Sequence, residues 1–213
     1  MHFLAQKIAQ RLTANSKQVV DEDVVRYGAE VTLGAVFQIS VFLLIAYLCG
    51  IFLEILGILF ASAVLRRYSG GVHCSTYYSC TFSGLVTYLL LAYLLRYFNC
   101  EYFVVYFTTT AIICYSLVYG FAPVDNPSKR INDPVKSKQL KYKSCIILTS
   151  ILLLSFILYS SGCCLYALSL LLGLFWQSLT LTPGGELYIA AWDRLLRVIE
   201  NLLERRKHDV TSA

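Results

Sequence analysis

Residues 144–185 read SCIILTSILLLSFILYSSGCCLYALSLLLGLFWQSLTLTPGG, 42 consecutive positions without Asp, Glu, Lys or Arg. About 20 apolar residues cross the hydrocarbon core of a bilayer as a helix, so this run is long enough for two crossings. Ser160-Ser161-Gly162 divides it into two apolar blocks, and small turn-forming residues of this kind close a hairpin. Backbone polar groups cannot go unpaired in lipid, so the crossings are read as helices and not as open strands.

The same segregation of charge recurs towards the N-terminus. Uncharged windows separate Glu30 from Glu54, Arg67 from Arg96 and Glu101 from Asp125. Charged residues make up 15% of the chain and apolar residues 57%, outside the range of soluble domains, in which about a quarter of residues are charged. The windows predict spans at 31–49, 51–66, 82–96, 102–122, 144–160 and 163–181. The fold class is therefore all-α and polytopic, with about six transmembrane helices.

Both ends predict amphipathic interfacial helices. In 1–30, Leu4, Ile8 and Leu12 recur every four residues, the period of one helical face. In 183–213, Trp192, Leu195, Leu196, Ile199, Leu202 and Leu203 make a stripe opposite charged positions. The chain is divided accordingly into a membrane domain, 1–182, and a C-terminal helix and tail. Met1 to Ile8 lack the apolar core and cleavage site of a signal peptide, so the chain is expected to insert by its own spans. Most of the eight cysteines lie in or beside apolar runs, where a thiol behaves as a small hydrophobe; this argues against a disulfide framework.

Lys and Arg collect in the cytoplasmic loops of membrane proteins. Residues 123–143 carry Lys129, Arg130, Lys136, Lys138, Lys141 and Lys143 against Asp125 and Asp133. Placing this loop inside also places Arg66, Arg67 and both termini inside. The expected location is the plasma membrane, with the polar residues 66–80 on the cytoplasmic face.

That polar island runs Arg66-Arg67-Tyr68-Ser69-Gly70-Gly71-Val72-His73-Cys74-Ser75-Thr76-Tyr77-Tyr78-Ser79-Cys80 and holds the one histidine outside the terminal segments. A cysteine attacks as thiolate, favoured by a neighbouring histidine or other cation. His73 can serve as base to Cys80 or Cys74. On one straight helix residues seven apart are separated by about 10 Å, too far for a hydrogen bond. Cooperation of His73 with Cys80 therefore requires a turn, and Gly70-Gly71 supply the freedom for it. Cys74 neighbours His73 in sequence, but adjacent side chains on a helix do not face each other. The residues alone leave Cys74 or Cys80, and a catalytic centre or a solvated connector, open. A zinc site from His73, Cys74 and Cys80 lacks a second interior His and any Cys-x-x-Cys pair, and no metal or other cofactor is assigned. Glu54 is the one acid inside an apolar run and lies near the outer end, where it reads as structural.

The pattern Arg66-x4-Gly71-x-His73-x6-Cys80 before an apolar span resembles the accessory gene regulator protein B (AgrB) family, membrane cysteine endopeptidases that process autoinducing-peptide precursors in Gram-positive bacteria. The block Tyr119 to Ile131 is similar to the family's Pro-Asp-Lys loop, with Arg130 where members often place proline. The resemblance covers about residues 1–182. It implies Cys80 as nucleophile, His73 as base, supporting roles for Arg66 and Gly71, and no role for Cys74. Asp125 is a candidate to orient His73, although its place before Asn126-Pro127 also suits a turn. Lys129 and Arg130 belong to a loop suited to an acidic precursor tail. The implied reaction cleaves an AgrD-like precursor through a thioester on Cys80, then closes a thiolactone or lactone ring. The implied partners are that peptide, the lipid bilayer and a second copy of the chain, with no nucleic acid. The competing reading is a transporter of a peptide or small solute, against which stands the lack of clear internal repeats.

Overall fold

The computed structural model describes residues 2–14, 21–72, 74–124 and 133–211, and among them it is helical without a sheet. Residues 1–50 and 51–213 form separate compact units. In the first, α1 (His2–Ala14) packs on α2 (Glu22–Leu48). The sequence placed the start of the first span near residue 31, at the loss of charge. Instead, Asp21 caps α2 by accepting from the Asp23 N–H at 2.9 Å, and Glu22 and Asp23 lie at the positive end of the helix dipole.

The second unit contains α3 (Phe52–Ser69), α4 (Tyr77–Leu94), α5 (Phe103–Phe121), α6 (Pro134–Ser160), α7 (Cys164–Leu179) and α8 (Pro183–Thr211). Helix α6 starts ten residues before the expected span because Asp133 caps it, accepting from the Val135 N–H at 2.9 Å, with Pro134 in the first turn. Among the described residues, four helical segments are long and apolar enough to cross a membrane: 22–48, 78–97, 100–121 and 134–160. Helix α7 reaches that length only together with α8, from which it is bent by 87°. The protein is an all-α polytopic membrane protein.

Helices α3 and α7 pack together most extensively and supply much of the core, including Ile55, Ile58, Leu65, Leu171 and Leu174. Small residues allow the approach. A Cβ on Gly173 would lie 2.5 Å from the Ile58 carbonyl oxygen, and Ser62 donates to the Gly173 carbonyl at 3.0 Å. With lipid as apolar as any side chain, close backbone packing and interhelical hydrogen bonds replace the hydrophobic drive of soluble cores. Helix α6 joins through Ser155, which donates to the Ala167 carbonyl at 2.9 Å, and α5 stacks Phe103 on Tyr159 with centroids 3.9 Å apart.

Cys100 and Cys164 form a disulfide, which corrects the expectation that the cysteines stay reduced. Cys100 follows α4 in a short 3-10 turn and Cys164 opens α7, so the bond joins helix ends and not helix interiors. Their separation of 64 positions in sequence conceals that the fold brings these ends together.

Candidate active site

Helix α3 ends at Ser69 and α4 begins at Tyr77, so the backbone between residues 69 and 77 breaks the helical path, as cooperation across this segment requires. Gly70 and Gly71 have φ of +72° and +141°, conformations that side chains rarely adopt. Gly71 is also enclosed: an added Cβ would lie 3.2 Å from Thr180 Oγ1 and 3.3 Å from both Arg66 Nη1 and Gln177 Nε2.

The enclosure comes from a polar knot beneath the turn. Arg66, on the last turn of α3, donates through Nη2 to the Val72 carbonyl and lies 3.4 Å from Gln177 Oε1. Gln177, 1% exposed on α7, donates to the Gly70 carbonyl at 2.9 Å and to Ser69 Oγ at 3.4 Å. The Val72 N–H points to the Thr180 carbonyl at 3.5 Å. Arg66 and Gly71 are thus joined in one assembly with Gln177, which the sequence reading did not single out. Its signal was available: an amide within an otherwise apolar run.

From the other side, the Val124 N–H donates to the Ser69 carbonyl at 2.9 Å, and Gly70 and Val124 form an isolated parallel bridge. The connector that follows α5 therefore starts against the glycine turn. His73, Asp125, Lys129 and Arg130 lie outside the described residues.

Cys80 occupies the first turn of α4, its N–H bonded to the Thr76 carbonyl at 3.1 Å, while Thr76 Oγ1 caps the Ser79 N–H at 3.2 Å. Helix N-termini favour negative charge, a thiolate included. Cys74 sits beside it in the connector: its thiol hydrogen-bonds the Cys80 side chain and lies 3.4 Å from Ser83 Oγ. The hydrogen bond with Cys80, then burial, push the Cys74 thiol far above its ordinary range. The two cysteines that the residue pattern left as rivals thus lie side by side at the start of α4.

Helix α8 closes the remaining side. The Asp193 carboxylate accepts from the Ser75 N–H at 2.8 Å and from Ser79 Oγ, and Arg197 donates to Ser75 Oγ at 3.4 Å. Tyr188 meets Thr87 at 2.6 Å, and Trp192 packs edge-on against Phe82 at 5.8 Å. Burial opposes ionisation of Asp193, but the hydrogen bonds from Ser79 and Ser75 and the nearby Arg197 charge hold its pKa below the usual carboxylate value.

The family described as Accessory gene regulator B matches residues 4–181, which include the glycine turn, Cys80 and Gln177. The chain is 31% identical over 203 residues to a putative AgrB-like protein 2 of Clostridium perfringens, covering 90% of this chain and 94% of the relative. It is 29% identical over 160 residues to accessory gene regulator protein B of Staphylococcus aureus, covering 75% and 81%. No solved structure matches it significantly. With its family profile spanning most of its length and its relatives nearly full-length, the chain belongs to the accessory gene regulator B family of multi-pass membrane proteins.

Proposed function

We propose that the chain is a membrane-embedded cysteine endopeptidase that cleaves an AgrD-like quorum-sensing precursor and cyclises the released peptide. The observation that carries this reading is the placement of Cys80 in the capped N-terminal turn of α4, just after the glycine-built break in the helical path. In the proposed sequence, His73 takes the Cys80 thiol proton, the resulting thiolate attacks the scissile carbonyl, and the imidazolium gives that proton to the departing amine. The result is an acyl thioester on Cys80 and a free C-terminal tail. A Cys or Ser side chain of the bound peptide then gives its proton to His73, attacks the thioester carbonyl, expels Cys80 as thiolate and closes the ring. Effective molarities of ~10⁵ M or more favour this intramolecular step over hydrolysis.

Arg66 and Gly71 act in this reading by fixing the turn that leads to His73, with Asp125 as a candidate partner of His73. Lys129 and Arg130 offer charge to an acidic tail from a connector that begins at the glycine turn. The reading puts this end of the protein in the cytoplasm of a Gram-positive cell, with both termini. The disulfide supports that orientation, because Cys100 and Cys164 lie at the opposite ends of α4 and α7, where an oxidising exterior would favour their bond. Residues 1–182 make the peptidase domain, which acts as a homodimer.

Precursor cleavage in membranes containing single-residue variants tests the mechanism. Cys80→Ala and His73→Ala are expected to abolish cleavage, while Cys74→Ala retains it. Equal loss from Cys74→Ala and Cys80→Ala, or retention in both, would overturn the assignment.

A further inference from the structure

The C-terminal helix lies beyond the residues matched by the family, yet it reaches the turn that bears the proposed nucleophile. Asp193 spans two places on that turn at once: one oxygen takes the Ser75 N–H at the entry to α4, and the other takes the hydroxyl of Ser79, the residue before Cys80. A side chain on the first turn of a helix is free to shift when that turn frays, because its N–H groups have no intrahelical acceptor. Thr76 satisfies the Ser79 N–H, and Asp193 satisfies the Ser75 N–H from outside the helix. Ser79 is 5% exposed, so its hydroxyl is held within the packing and not in open solvent.

The carboxylate is itself held. Arg197, one helical turn further along α8, donates to Ser75 Oγ and contributes positive charge. Tyr188 and Trp192 anchor the same helix to Thr87 and Phe82 further along α4. Two kinds of contact therefore join α8 to α4: an aromatic anchor along the helix body, and a carboxylate clamp at the end that carries Cys80.

We infer that Asp193 is a positioning residue, acting through Ser75 and Ser79 to fix the first turn of α4 and thereby the direction of the Cys80 thiol. This rests on the proposed role of Cys80. Asp193 touches neither substrate nor the reacting sulfur in this assignment. Its effect is on turnover, because misplacing a nucleophile by about 1 Å can cost ~100-fold without weakening substrate binding.

The test compares Asp193→Ala, Asp193→Asn, Ser79→Ala and Tyr188→Phe in full-length protein in lipid vesicles, with a synthetic precursor peptide. Steady-state cleavage and the pH dependence of Cys80 alkylation by iodoacetamide, in a Cys74→Ala background, are measured for each. Asp193→Ala is expected to lower kcat by about ten- to hundredfold with KM nearly unchanged, and Asp193→Asn, which keeps an acceptor oxygen, to recover part of it. Ser79→Ala should lose less, and the double variant should be no worse than Asp193→Ala, since the two groups act as one unit. Tyr188→Phe, which removes only an anchor hydrogen bond, should stay near wild type. Wild-type kcat in Asp193→Ala, a loss in KM alone, or equal losses in Asp193→Ala and Tyr188→Phe would overturn the inference. If Asp193→Ala does not insert or fold, Ser79→Ala and Asp193→Asn carry the same test. Continued cleavage by Cys80→Ala would instead defeat the underlying mechanism, an outcome separate from an active Asp193→Ala beside an inactive Cys80→Ala.

Discussion

Gln177 donates to the Gly70 carbonyl at 2.9 Å from a site 1% exposed, and the same amide faces Arg66 through its oxygen. Gln177→Leu keeps the side chain's bulk but leaves the Gly70 carbonyl and the Arg66 guanidinium with fewer partners. A buried polar group stripped of its partner costs about 1–3 kcal/mol. The expected result is a lower melting temperature in detergent together with slower precursor cleavage. A variant that melts like wild type would show that the glycine turn is held by other contacts.

The α3–α7 seam should be sensitive to a single methyl group. Gly173→Ala forces a Cβ to within 2.5 Å of the Ile58 carbonyl, whereas Gly120→Ala places one in open space. Overpacking of this kind costs about 1–3 kcal/mol. Replacing a helical glycine with alanine where there is room instead stabilises by about 0.5–1 kcal/mol. Thermal unfolding of the two variants is expected to shift in opposite directions from wild type.

The Cys100–Cys164 bond predicts both a stability and a location. The Cys100→Ser/Cys164→Ser double variant should lose about 2–4 kcal/mol, the usual contribution of a bond closing a long loop. Intact cells treated with a membrane-impermeant phosphine and then an impermeant maleimide should acquire label at Cys100 and Cys164, and none at Cys74 or Cys80. Label confined to Cys74 and Cys80 would invert the proposed orientation.

Asp193 sets a pH window. Its folded pKa lies below the ordinary value of 3.8, so its contribution is fully present above that value and is lost as pH falls through the depressed folded pKa. The melting-temperature difference between wild type and Asp193→Asn should therefore stay constant from about pH 5 to 8 and shrink only below about pH 4. A difference that collapses between pH 5 and 7 would point to another titrating group.

Much of this architecture was readable from charge alone, because the uncharged windows became the bodies of helices, the longest of them of two. The starts of α2 and α6 were not, since Asp21 and Asp133 cap helices whose first turns are polar, a feature invisible to a search for apolar length. The break between Ser69 and Tyr77 followed from the glycine pair and the seven-residue spacing. The partners that hold it did not, because Gln177 lies 107 residues from Gly70 and Asp193 lies 114 from Ser79. Nor could the sequence show that Cys74 and Cys80 meet, because their contact depends on how the connector folds back.

Helix α7 is secured at both extremities, covalently at Cys164 and by hydrogen bonds at Gln177. Its 16 residues rise only about 24 Å, less than the ~30 Å hydrocarbon thickness of a typical bilayer. A strut of fixed, short span cannot meet both headgroup layers unless the lipid thins around it or the glycine turn sinks below the surface. On the proposed mechanism, acyl-chain length is then expected to control access to the reaction: thin vesicles would bring the turn level with water and peptide, and thick ones would submerge it.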